Sequence, residues 1–272
     1  MSSPVQSPVA PAPEANKVHY TPTQQTQSKK RARDSLGELL LHCSPQKKLH
    51  VPKVRDPDHR EQIVEFLAEV ADDFGLKPMT SALATTYYDR WVSVPERKRF
   101  SSDEVVALAC LWTASKQDDT QVPSLSELCN IPPEPISRSE LKAAELDLIL
   151  CLDWKLHTIL PHAFVEQFSD MLELTVGVSK RAVFLTDVSF YEAKCIPFSP
   201  CVVALASVAT ALKHFCQLES AETKRNLQSI CSEYDISRED VAACAGILET
   251  HFETVFGVGF NAQTRGMALS KE

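Results

Sequence analysis

Two short polar segments and one glutamate hold the residue types most able to do chemistry in this chain. The first segment is Tyr87-Tyr88-Asp89-Arg90-Trp91, and the second runs from Thr113 to Asp119 and contains Lys116 beside two acids. Both close amphipathic helical patterns, and Glu145 follows on a third. A lysine and a glutamate on neighbouring helices can form a two-pronged polar clamp. Because apolar stripes on the same helices predict a core, this arrangement favours a surface that binds another protein over an active site.

The sequence offers little that would support catalysis. It has no Gly-rich phosphate loop, no paired nucleophile and base, and nine scattered cysteines without a C-x-x-C pair. His214-x-Cys216 and His42-Cys43 resemble metal ligands, but neither has a second pair at zinc-like spacing. We therefore expect no enzymatic activity, no metal site and no cofactor.

Charge is distributed unevenly along the 272 residues. Residues 1–58 contain nine Lys/Arg and five Asp/Glu (9 − 5 = +4), whereas the remainder contains 19 and 31 (19 − 31 = −12). An acidic body is a poor match for nucleic-acid phosphates, which bind clustered Lys and Arg. No apolar run approaches the roughly 18 residues that span a bilayer, and the N-terminus lacks a signal-peptide pattern. We therefore expect an intracellular protein with neither nucleic acid nor membrane as a partner.

Helical periodicity begins near residue 59 and predicts an all-α protein. Residues 1–58 hold eight of the 17 prolines and few aromatics, so we predict a disordered, basic tail with one helical turn at Leu36–Leu41. Apolar spacing, serine caps and prolines then predict two consecutive five-helix bundles, over residues 59–158 and 159–257, before a short tail over 258–272. Identity between the two sets is low, so the repeat is inferred from the layout of helices.

Four motifs, in order, resemble those of the cyclin family. They are His59–Leu67, Tyr87–Val92, Ala114–Asp119 and the stretch from Glu145 to Trp154. The resemblance is strong over about residues 59–172 and weaker over 173–256, where Phe198–Ala204 looks like the proline-started helix of D-type cyclins. It implies two cyclin-box bundles in a regulatory subunit that binds and allosterically activates a cyclin-dependent protein kinase, with a role in cell-cycle control.

The resemblance also implies which residues bind the kinase. In cyclins, residues at the positions of Lys116 and Glu145 hydrogen-bond the kinase near its mobile C-helix. Apolar residues flank that contact at three positions, here Ile149, Trp154 and Leu156. Each residue also has an ordinary interpretation: Lys116 as a cation at a helix C-terminus, Glu145 as part of a solvated helix face, and the apolar three as core.

A structural ion pair is implied between Arg60 and Asp89, joining the first two helices of the first box. Removing one partner of a buried pair leaves the other charge without compensation, so substitution of either residue is expected to damage the fold.

The family's substrate-docking patch is altered in this chain. Ile63 and Phe66 are apolar as expected, but His59 and Gln62 replace the usual Met and Ile. A peptide groove needs continuous apolar surface, so we expect weak or altered docking of kinase substrates or inhibitors.

Short motifs in the N-terminal tail suggest regulation. Lys29-Lys30-Arg31-Ala32-Arg33 resembles a nuclear-import signal or is an unstructured basic arm, which leads us to expect a protein of nucleus and cytoplasm. Ser44-Pro45-Gln46-Lys47 matches the preference of proline-directed kinases, and Thr21-Pro22 matches it less well. Ser44 and Thr21 are therefore candidate phosphorylation sites.

Two other functions compete with kinase regulation. The cyclin fold is similar to those of basal transcription factors and tumour-suppressor pocket domains, so a scaffold or adaptor without a kinase partner is the alternative. Such modules need basic surfaces or peptide grooves, and a gel-shift with duplex DNA would separate this alternative. The third candidate function is that of a helical enzyme, but the sequence shows none of the groups that catalysis needs.

Overall fold

The described part of the chain is built from helices. A computed structural model describes residues 22–42, 56–95, 97–215 and 221–256, and within these ranges it contains eleven α-helices, one 3₁₀ turn and no strand. The helices are α1 Pro22–His42, α2 Pro57–Asp73, α3 Pro78–Val92, α4 Asp103–Asp118, α5 Leu125–Cys129, α6 Arg138–Cys151, α7 Pro161–Met171, α8 Val176–Ser189, α9 Pro200–Phe215, α10 Ala221–Glu233 and α11 Arg238–Phe256, with the 3₁₀ turn at Ala193–Cys195. None of these helices is long and apolar enough to cross a bilayer.

Two bundles of five helices follow one another, as the sequence predicts. Helices α2–α6 form the first bundle around the buried α4, and α7–α11 form the second around the buried α9. Each bundle has its own apolar core, which includes Tyr87 and Leu108 in the first and Phe164 and Phe252 in the second. The all-α prediction is confirmed, because apolar residues at helical spacing bury one stripe of each surrounding helix and almost the whole of the central one.

The two central helices share more sequence than the overall layout indicates. Val106–Lys116 of α4 and Val203–Lys213 of α9 carry the same residue at seven of eleven aligned positions. The shared residues are Val, Ala, Leu, Ala, Thr, Ala and Lys, in that order. Each lysine is the third residue from the end of its helix. The two bundles are therefore an internal repeat, and its central helix is where the repeat is visible in the residues.

The prediction of a disordered tail is wrong for Pro22–Ser35, because Pro22–His42 forms α1, whereas the helical turn predicted at Leu36–Leu41 is confirmed as part of that helix. This helix lies on α7 of the second bundle, and Ala32 and Leu36 are 3% and 0% exposed there. The physical reason is an apolar stripe at positions 32, 36, 39 and 40, which has helical spacing and starts inside the basic run. Lys29 forms an ion pair with Glu173 at 2.9 Å, so part of that run is engaged by the second bundle.

Arg60 joins three elements of the fold. Its Nε and one terminal nitrogen donate to the two carboxylate oxygens of Asp89 on α3, both at 2.8 Å, and the two side chains are 5% and 15% exposed. Its other terminal nitrogen donates to the carbonyl oxygen of Phe190, at the end of α8, at 2.8 Å. The ion pair expected within the first bundle therefore also ties that bundle to the second.

Candidate functional site

The end of α4 is held in place by the two acids that follow Lys116. Both carboxylate oxygens of Asp119 accept hydrogen bonds from the start of α3, one from the amide of Lys77 at 3.0 Å and one from the hydroxyl of Thr80 at 2.7 Å. Asp118 lies near the ammonium of Lys77, at 3.6 Å. Asp118 and Asp119 therefore hold the end of α4 against α3. Lys116 is the residue of this motif that contributes to the clamp with Glu145.

Lys116 and Glu145 lie side by side on the surface of the first bundle. The Lys116 ammonium donates to Glu145 Oε1 at 2.6 Å, and the two side chains are 38% and 18% exposed. Since α4 and α6 pack directly against each other, the lysine at the end of one helix faces the glutamate in the middle of the other. The side-by-side arrangement expected from the sequence is what the structure contains.

Two residues that the sequence analysis assigned no role complete this cluster. The Lys116 ammonium lies over the indole ring of Trp112, 3.1 Å from the ring centroid. The hydroxyl of Thr113 donates to the carbonyl oxygen of Ala109 and lies 3.5 Å from Glu145 Oε1. Trp112 and Lys116 are four residues apart on one helix, and that spacing was the signal that could have revealed the contact.

The Tyr-Tyr-Asp-Arg-Trp segment of α3 positions the chain after α6. Tyr87 is fully buried, and its hydroxyl donates to the carbonyl oxygen of Leu156 at 2.6 Å. Burial raises the pKa of Tyr87 to about 12, so the phenol keeps the proton that it donates. Arg90 donates to the carbonyl oxygen of Lys155 at 2.8 Å, and Trp91 donates to the buried carboxylate of Asp147 at 2.9 Å. This segment therefore fixes where Trp154 and Leu156 lie.

The helix end that carries Trp154 departs from the other ends of its kind. Four helices end on a residue with positive φ, followed by a residue whose amide reaches back five positions to a carbonyl oxygen. The following residues after α2, α7 and α10 are Leu76, Leu174 and Ile236, respectively, and each packs against a core. After α6 it is Trp154, which itself has φ 58° and is 68% exposed. Two consecutive left-handed residues, Asp153 and Trp154, turn the indole outward at a conformational cost.

Other apolar residues of α6 and of the chain after it are also partly or largely exposed. Ile149 and Leu156 are half-buried, and Leu156 also packs against the first core. Leu146 and Leu150, which were not predicted as site residues, are 51% and 57% exposed on the outer face of α6. Large apolar residues that are exposed together are typical of a surface that another protein covers.

Family comparison accounts for nearly the whole described region. The sequence profile of the family "Cyclin, N-terminal domain" matches residues 41–157, and that of "Cyclin, C-terminal domain" matches residues 159–256. This chain belongs to the cyclin family. Among curated relatives are A-type and D-type cyclins; the cyclin is 29% identical to G1/S-specific cyclin-D1 of Xenopus laevis over 166 residues, which are 58% of this chain and 55% of the relative. The chain spans about half the length of the curated relatives it matches first.

Two solved structures share the fold of this cyclin at low sequence identity. A viral cyclin from herpesvirus saimiri superimposes with a TM-score of 0.60 at 15% identity, over 85% of this chain and 99% of that one. A chain of the yeast RNA Pol II CTD kinase CTDK-1 complex superimposes with a TM-score of 0.60 at 12% identity, over 89% and 74% of the two chains. The tandem cyclin-box architecture is thus shown by both the residues and the coordinates.

The residues predicted for substrate docking differ in exposure. Ile63 is 3% exposed and belongs to the first core, so its side chain adds almost nothing to the surface of this cyclin. Phe66 is half-buried, and Gln62 beside it is exposed. His59 bonds Asp103 at 2.9 Å rather than contributing apolar area. The surface at the start of α2 is therefore less apolar than a continuous peptide groove requires.

Some predicted features lie outside the described residues or have no counterpart within them. Ser44, Thr21, Cys43 and Cys216 fall outside the described ranges. Within those ranges, no group of three His, Cys, Asp or Glu side chains is arranged to hold a metal ion.

Proposed function

We propose that this cyclin binds a cyclin-dependent protein kinase through the Lys116–Glu145 clamp and activates it in cell-cycle control, without catalysis of its own. The observation that carries the proposal is the juxtaposition of an exposed ammonium and a carboxylate, 2.6 Å apart, on the bundle that also carries the outward-turned Trp154. Membership of the cyclin family supports a kinase partner, as does the likeness to a chain from a kinase complex.

The clamp and its apolar flank supply different parts of the binding free energy. Lys116 offers donors and Glu145 offers acceptors, and each charge-assisted bond contributes about 1.5–3 kcal/mol when a partner excludes water. Ile149, Trp154 and Leu156 supply apolar area around that polar centre. A buried aromatic beside charged groups is the usual composition of an interface hot spot. The polar pair would set the register of the complex, and Trp154 would supply much of the burial.

Activation would follow from binding one kinase conformation more tightly than another. If the clamp contacts the mobile C-helix of the kinase, it favours the position in which the glutamate of that helix pairs with the ATP-orienting lysine. The cyclin then needs only a stiff surface with higher affinity for the active state. The first bundle offers such a surface, because hydrogen bonds to Asp119 fix the helix end that carries Lys116, and those from Tyr87 and Arg90 fix the chain after α6.

A charge exchange tests this assignment. The double variant Lys116→Glu with Glu145→Lys keeps an intramolecular ion pair and reverses its polarity toward a partner. We expect the variant to fold normally by circular dichroism, and to lose about 100-fold or more in affinity for the kinase that co-purifies with the tagged wild-type chain. Kinase activity is measured with a peptide substrate while the cyclin is titrated.

The second bundle provides a matched control. Lys213→Glu with Glu249→Lys makes the same exchange at the equivalent lysine and the facing glutamate, and it should leave kinase activation unchanged. Wild-type activation by the Lys116/Glu145 exchange would contradict the proposed contact. Failure of the wild-type chain to co-purify with any kinase would favour the scaffold alternative.

Two weaker activities are proposed for other surfaces. Phe66 would accept substrate or inhibitor peptides poorly, because Ile63 is buried in the core and adds almost no apolar surface; Phe66→Ser should change affinity for an Arg-x-Leu peptide by less than about threefold. Lys30 and Arg31 are exposed on α1 and could support nuclear import. Replacing both with Ala should move a fluorescent fusion toward the cytoplasm, and an unchanged distribution would contradict that role.

A further inference from the structure

Lys116 has an aromatic neighbour that is itself anchored. The indole nitrogen of Trp112 donates to the carbonyl oxygen of Pro123, in the loop after α4, at 3.1 Å. That bond fixes the plane of the ring, and the Lys116 ammonium lies 3.1 Å from its centroid. An ammonium at this distance is attracted by the negative face of the ring. The position of the lysine is therefore set by two groups, the indole and Glu145.

The repeat contains a natural comparison in which the ring is missing. Ala209 of α9 is the residue that aligns with Trp112, and Lys213 aligns with Lys116. Without an indole beside it, Lys213 donates to both carboxylate oxygens of Glu249, at 2.9 and 3.0 Å. His214 also bonds one of these oxygens at 2.9 Å. Both oxygens of the carboxylate in the second bundle thus accept intramolecular hydrogen bonds.

The carboxylate of the first bundle is engaged on one side only. Lys116 and Thr113 both approach Oε1 of Glu145, and no group in the described ranges hydrogen-bonds Oε2. The Lys116 ammonium has three N–H donors. One points at the ring and one at Oε1, so the third remains for another acceptor. The first clamp therefore leaves one donor and one acceptor available.

We propose that Trp112 is a positioning residue that holds the Lys116 ammonium over its indole and so keeps the clamp open toward a partner. This inference rests on the proposed function for its consequence, and on the contrast between the two bundles for its cause. With an aliphatic residue at position 112, Lys116 closes onto both oxygens of Glu145, as Lys213 does on Glu249. The clamp must then be opened before a partner binds, which weakens binding without removing any contact residue.

Two variants separate the aromatic face from the hydrogen bond to Pro123. Trp112→Phe removes the bond and keeps an aromatic face, whereas Trp112→Leu removes both. The first measurement needs no partner: the NMR chemical shifts of the Lys116 side-chain methylene groups, assigned with Lys116→Arg. We expect upfield ring-current shifts in wild type, a smaller shift in Trp112→Phe, and ordinary lysine values in Trp112→Leu. The Lys213 signals serve as the internal control and should not move.

The second measurement is titration of the co-purified kinase. We expect Trp112→Leu to weaken activation by about three- to tenfold, with Trp112→Phe close to wild type. Equal losses in the two variants, or unshifted Lys116 signals in wild type, would overturn the positioning role. Wild-type activation by Trp112→Leu would overturn it too. The NMR result stands even if no kinase responds to the wild-type chain, so failure of the proposed function is distinguishable from failure of this inference.

Discussion

The two bundles pack their helices in the same way and differ in the contacts near the end of the central helix. Each encloses a central helix, the two helices share seven of eleven aligned residues, and each carries a lysine at the same place near the helix end. In the second bundle the lysine and its glutamate satisfy one another with the help of His214. In the first, Trp112 holds Lys116 and leaves the glutamate half engaged. The second ion pair thus bonds through both carboxylate oxygens and the first through Oε1 alone, and we propose that the first is the one that binds a partner.

Helix ends show a second contrast, between α6 and the other helices of the described part that end on a residue with positive φ. The turn after α7 of the second bundle buries part of Leu174 against the core, as most turns of this kind do. The equivalent position after α6 of the first bundle carries Trp154 with a second positive φ, so its indole faces solvent. A fold normally avoids both the strain and the exposed apolar area. Their occurrence together at Trp154, just after the helix that carries Glu145, is consistent with the partner surface that we propose.

Breaking the joint between the bundles should have the largest effect. Asp89→Ala leaves Arg60 without its carboxylate partner and should lower the free energy of unfolding by about 3–5 kcal/mol. All three tryptophans lie in the first bundle, so their fluorescence reports that bundle alone, whereas circular dichroism reports both. We expect coincident urea transitions in wild type and an earlier fluorescence transition in Asp89→Ala. Coincident transitions at wild-type stability would show that the joint does not hold the first bundle.

Substitutions at the contrasting helix ends should affect different properties: stability after α7 and kinase binding after α6. Leu174→Ser should cost about 1–3 kcal/mol of stability and leave kinase binding intact. Trp154→Ser should change stability by less than about 0.5 kcal/mol and weaken kinase binding by about 2 kcal/mol, roughly 30-fold. Trp154→Gly should be more stable than Trp154→Ser by about 0.5–1 kcal/mol, because glycine adopts positive φ without strain. A large loss of stability in Trp154→Ser would contradict an outward, unpacked indole.

The two glutamates should differ in what they contribute to folding. Glu249→Gln leaves Lys213 and His214 without their shared carboxylate and should cost about 1–2 kcal/mol in urea unfolding. Glu145→Gln should cost about 0.5 kcal/mol or less, because Lys116 keeps its contact with Trp112 and access to water. Equal costs would remove the distinction between a closed and an open pair.

Acid should affect the closed pair by a small, measurable amount. Burial raises the pKa of Glu249, whereas the hydrogen bonds and positive charges of Lys213 and His214 lower it. The lowering is the larger effect, so the pKa of Glu249 lies below its usual value of 4.5. A carboxyl whose pKa is depressed by folding contributes stability above its unfolded pKa and loses it as the pH falls through the folded pKa. Between about pH 5 and pH 3, wild type should therefore lose more stability than Glu249→Gln. Parallel losses in both proteins would contradict the assignment.

Several features of this cyclin could be predicted from the residues because they depend on local spacing. Apolar periodicity identified ten of the helices, and the order of Tyr87, Lys116, Glu145 and Trp154 pointed to the family. The same reasoning predicted a single helical turn at Leu36–Leu41 and disorder for the rest of Pro22–His42, because composition outweighed a helix that only its docking surface makes stable. Ile63 was predicted to lie on a docking surface, because a helical pattern does not say how deeply its apolar face is buried.

The sequence by itself determined an all-α repeat, the cyclin family and the residues of the clamp, since each of these can be recognised from residue spacing and motifs along the chain. Only the tertiary structure decided that Arg60 reaches Phe190 in the other bundle, that the Lys116 ammonium lies over Trp112, and that Trp154 faces outward. Those outcomes depend on which side chains meet across helices and on backbone angles at helix ends. Neither is set by the periodicity of one segment, because long-range packing chooses among contacts that local pattern leaves equally available.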